Sequence, residues 1–72
     1  MTRKDIISTL TDKGKTKAVE FIEKHSVENS RSIHIGDAND KAYDSGLAHF
    51  LLAYCQWENT KYGFRAFFNN KH

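Results

Sequence analysis

The chain has 72 residues, a formal net charge of +2, one cysteine and no proline. That length makes a single compact domain, residues 1–72, whose core leaves only about 3–5 kcal/mol of net stability. One cysteine excludes an intramolecular disulfide, and the longest apolar run, Phe50 to Cys55, falls far short of the ~20 residues that span a membrane.

Cys55 sits among apolar residues and reads as a buried thiol from a reducing compartment. The start, MTRKDIISTL, lacks the apolar run of a signal peptide, so a soluble cytoplasmic protein with no membrane partner is expected. The small core leaves self-association as the source of further stability, and a homodimer is expected on that ground. Charge is unevenly spread. Residues 1–31 carry seven basic and five acidic side chains, residues 32–60 one and four, and residues 61–72 three and none. Two basic ends around an acidic middle suit neither an anionic nucleic-acid mimic nor a strongly cationic DNA binder.

Thr2-Arg3-Lys4-Asp5 has the form of a capping box, and Ile6, Ile7 and Leu10 follow on one helical face. Gly14 supplies a left-handed stop, after which Ala18, Val19, Phe21 and Ile22 resume the apolar series. This predicts two short helices meeting near Gly14, with one helix over about 3–25 that tolerates the glycine as the alternative. Residues 27–31 are polar and read as a loop. Ser32-Ile33-His34-Ile35 is β-branched, ends at Gly36 and predicts a brief strand. Asp37 is suited to cap the next helix.

From Ala38 to about Glu58 the apolar residues Ala42, Tyr43, Gly46, Leu47, Phe50, Leu51, Tyr54 and Trp57 recur at helical spacing. They predict one long helix packed on several sides. Tyr62 to Phe68 predicts a strand with Tyr62, Phe64, Ala66 and Phe68 on one face, paired with Ile33 and Ile35. The expected fold is therefore α+β, mostly helical, in the order α-α-β-α-β with one long central helix. A small all-α bundle, with residues 62–68 as a terminal helix, is the alternative.

Motifs are few. Gly14-Lys15-Thr16 matches the end of a phosphate-binding loop, but the glycine required five residues earlier is Thr9. Leu10 to Gly14 resembles the turn-to-helix joint of winged-helix regulators. Only nine residues precede it, too few for a recognition helix. His25, His34, His49, His72 and Cys55 show no zinc-ligand spacing, so neither metal nor cofactor is expected. With no nucleophile elbow and no room for an enclosed pocket, the chain reads as a non-enzyme.

Recognition is the remaining class. Residues 50–68 hold seven of the nine aromatics, more than so small a core can bury. Trp57, Tyr62, Arg65 and Phe67 are the candidate protein-binding residues, because Trp, Tyr and Arg supply most interface energy. Asp37, Asp40 and Asp44, on one helical face, join them. The alternative is a nucleic-acid-binding regulator using Arg3, Lys4, Lys13, Lys15 and Lys17 at one end and Lys61, Arg65 and Lys71 at the other. Compact, proline-free chains of this length resemble the small accessory proteins of phages and other mobile elements, many of which occlude a surface of a host protein. That likeness is one of size and style. The function it implies is a small adaptor or inhibitor.

Overall fold

A computed structural model describes residues 1–36 and 46–68. The elements run α1 (Arg3–Asp12), α2 (Thr16–His25), β1 (Ser32–Ile35), α3 (Leu47–Tyr54), β2 (Gln56–Thr60) and β3 (Gly63–Phe67).

The N-terminal helices form as their caps dictate. The Thr2 hydroxyl accepts from the Asp5 N–H at 3.1 Å, and the Asp5 carboxylate accepts from the Thr2 N–H at 3.2 Å, a complete capping box. At the other end Lys15 N–H donates to the Leu10 carbonyl and Gly14 N–H to that of Thr11. This is the paired hydrogen bonding of a Schellman stop, with Gly14 at φ +73° as its left-handed residue. Each helix turns one stripe inward, Ile6 and Leu10 from α1, Ala18 and Ile22 from α2. Arg3 then ties the pair together, donating from Nε to the hydroxyl of buried Ser26 at 2.9 Å.

The three strands form one antiparallel sheet in the order β1-β3-β2. Ile33 and Ile35 lie opposite Ala66 and Phe64, and all four are buried. With Phe68 they present one apolar face to the helices, where Leu47, Phe50 and Leu51 of α3 complete the core. The other face carries Ser32, His34, Arg65, Phe67, Gln56, Glu58 and Thr60, all half-buried or exposed. The molecule is thus two layers, helices on one side of a sheet whose second face no described element covers.

Lys61 and Tyr62 form the two-residue turn between β2 and β3. Neither has positive φ, so the turn is not of the primed kind that usually closes so short a hairpin. The twist is absorbed by Gly63 at φ +134°, which also lets β1 approach closely, since a Cβ there would sit on the Ile35 carbonyl oxygen. Across the gap His34 Nε2 reaches Thr60 Oγ1 at 2.9 Å.

The two short helices, the capping box, β1, β3 and their pairing all match the sequence reading. The long central helix does not exist. Gly46 stands at φ +103° before α3, and Cys55 is extended at φ −121°, ψ 151° after it, so the helix is eight residues long. It also buries one stripe, not several sides: His49, Ala53 and Tyr54 are exposed or half-buried. Residues 56–60 are a strand, giving the order α-α-β-α-β-β, and the three-stranded sheet overturns the all-α alternative.

Candidate functional site

β2 lies at one margin of the sheet, and four of its five residues are exposed. Trp57 shares the helix-bearing side of the sheet with Ala66, its register partner. It stands beyond the rim of the core, 45% exposed, with its ring edge-on to Phe64 at 6.2 Å between centroids. That geometry holds the indole in place while leaving nearly half of it to solvent. Tyr62 is at the hairpin tip, 68% exposed, with the Lys61 ammonium 5.5 Å from its ring centre.

The remaining candidates fall elsewhere. Arg65 and Phe67 are half-buried on the open face of the central strand, where Arg65 donates to the Ser32 hydroxyl at 3.3 Å. Trp57 and Phe67 therefore point to opposite sides of the sheet, and the four C-terminal candidates do not make one face. Asp37, Asp40 and Asp44 lie outside the described residues. Tyr54 adds to the set: it is 59% exposed at the end of α3, its ring 4.9 Å from that of Phe50. Its helical spacing from Phe50 gives it the pattern of a core residue, although its place in the last turn is the signal that it need not be one.

The basic candidates are dispersed. Arg3 is engaged with Ser26, donating also to the Ser26 carbonyl at 3.3 Å. Lys4, Lys13, Lys17 and Lys61 are exposed, Lys15 is half-buried and Lys71 lies outside the described residues. Lys17 is gathered with Lys24, His25 and His34 around a groove of about 500 Å³ between α2 and β1, lined also by Phe21, Gly36 and one acid, Glu20. The Phe21 and His25 rings lie 4.3 Å apart at its side. Lys24, His25 and His34 are not in the sequence-predicted basic set. Their convergence depends on β1 passing beside α2, which no local pattern announces.

Two groups have shifted acidities. The Thr2 backbone N–H, and after it the Thr2 hydroxyl, hold the Asp5 carboxyl below its usual range. Burial pushes the Cys55 thiol up, away from a reactive thiolate at neutral pH. Among the described residues no three of His, Cys, Asp and Glu are grouped to hold a metal ion, and no helix is long and apolar enough to cross a membrane. The chain matches no family model, no curated protein and no solved structure.

Proposed function

We propose that this chain is a small protein-binding module, an adaptor or inhibitor that covers a surface of its partner, and that it docks through β2 and the aromatics around it. One observation carries the reading. Three of the four large exposed apolar side chains among the described residues, Tyr54, Trp57 and Tyr62, lie on β2 or within two residues of its ends. Aromatic side chains braced by core rings, as Tyr54 is by Phe50 and Trp57 by Phe64, yet open to solvent, give large contact area at small entropic cost on binding. Val27, the fourth, is in the loop after α2.

The test is capture of partners from a lysate of the producing cells by immobilised wild-type protein and by the double variant Trp57→Ala/Tyr62→Ala. A discrete protein retained by wild type after nuclease treatment, and lost with the double variant, is the expected result. Retention that ignores both substitutions, with the variant correctly folded, refutes the reading.

A nucleic-acid-binding role is the second reading, and what favours it is the groove that brings Lys17, Lys24, His25 and His34 together. Binding there would weaken steeply as salt rises, because displaced counterions dominate such affinities. Glu58 and the commitment of Arg3 and Arg65 to serine partners weigh against a broad basic face.

A further inference from the structure

One hydrogen bond assigns the backbone direction of β2. Phe68 donates its N–H to the carbonyl of Arg31, just before β1, at 2.8 Å. In an antiparallel sheet, successive residues of a central strand turn their N–H and C=O toward alternate neighbours. Phe64, Ala66 and Phe68 therefore face β1, and Gly63, Arg65 and Phe67 face β2. Their register partners Thr60, Glu58 and Gln56 point inward. The N–H and C=O of Trp57 and Asn59 are left directed off an edge that no described element covers.

Such an edge is a template for a further strand unless it is blunted by lysine, proline or a cover. β2 has no lysine and no proline; its one charge is Glu58. We propose that the β2 edge docks an extended segment of a partner protein, added as a fourth strand with a lysine or arginine opposite Glu58. This rests on the protein-binding reading above and names what occupies the site.

Charge decides between that occupant and a second copy of the chain. A two-fold pairing of β2 with itself that uses all four outward groups sets Trp57 against Asn59 twice. It then places the two Glu58 residues directly opposite each other, in the closely spaced kind of pair with about 4.5 Å between Cα atoms. Like charges there are destabilising, whereas an opposite-charge pair is stabilising. Arg65, across from Glu58 on the inner side, is turned to Ser32 instead. Among the described residues Glu58 has no ion pair, and its carboxylate is available to an incoming cation. The neighbours of that cation on the added strand would lie on the helix-bearing side, beside Trp57. The fitting segment is thus extended and alternating, with a basic residue flanked by apolar ones.

The full chain, immobilised, is to be selected against a displayed library of random twelve-residue peptides. Expected are clones with lysine or arginine between apolar residues, whose binding slows amide exchange at Trp57 and Asn59. Glu58→Lys should weaken them several-fold. Asn59→Pro removes an outward N–H without touching the inward ladder, and should weaken them tenfold with unchanged circular dichroism. Selected peptides without a basic residue, or binding that survives both substitutions, overturn the proposal. So does sedimentation showing a wild-type dimer that Asn59→Pro dissociates, which would assign the edge to a second copy. Recovery of no such peptide, while capture of a partner still depends on Trp57 and Tyr62, overturns strand addition alone and leaves the protein-binding reading standing.

Discussion

Gly63→Ala is the substitution on which the account of the sheet depends most. At φ +134° a side chain is strained wherever it points, at about 1–3 kcal/mol. The space is also closed. The new Cβ would sit on the Ile35 carbonyl oxygen, 2.6 Å from the Gly36 oxygen and 2.8 Å from its carbonyl carbon. These are backbone atoms and cannot rotate away; β1 must slide, and with it the buried pairs Ile33–Ala66 and Ile35–Phe64. Strain and displacement together cost about 3 kcal/mol or more, most of the ~3–5 kcal/mol a core of this size supplies. At about 4–8 °C per kcal/mol, the melting temperature should fall by at least ~12 °C. Urea unfolding followed by Trp57 fluorescence and far-UV circular dichroism, with a thermal melt beside it, measures both. Gly14→Ala is the control, since that glycine is also left-handed, at φ +73°, but its Cβ meets nothing within 4 Å. It should cost about 1 kcal/mol. If Gly63→Ala is as mild as Gly14→Ala, β1 does not press on the hairpin as described.

Thr2→Ala should destabilise by about 1 kcal/mol through loss of the cap on α1, a shift of several degrees in a thermal melt. Asp5 has a lower pKa folded than unfolded, so the stability it contributes is present above the ordinary carboxylate range and lost as pH falls through the folded value. Asp5→Asn should flatten that acid limb, and an unchanged limb would discount the cap. Ile22→Ala, at a side chain with no exposed surface, should cost about 2–5 kcal/mol and leave the chain largely unfolded at 25 °C in circular dichroism. The half-buried Cys55 thiol, with its raised pKa, should react with a disulfide reagent at pH 8 several-fold more slowly than a cysteine peptide does; equal rates would contradict its burial.

What is legible in the sequence is what the core imprints. Ile6 and Leu10 recur at helical spacing because one side of α1 is buried, and Phe64, Ala66 and Phe68 alternate because one side of β3 is. The stop at Gly14 and the cap at Thr2 are local chemistry and can be read directly. β2 cannot. Four of its residues are exposed, so no alternation is imposed on it, and Trp57 falls three residues after Tyr54, extending the period of α3 past its end. Cys55 leaves the helix with neither glycine nor proline to mark the exit. The division of the candidate residues escapes the sequence for a related reason. Trp57 and Phe67 belong to opposite sides of a sheet, which only register with β3 decides. Both gaps have one origin. A segment takes a readable pattern from the core it packs against, and β2 packs against little of it. The side chains least constrained by the core are also those left open to a partner, so the strand hardest to read is the one where docking is most reasonably sought.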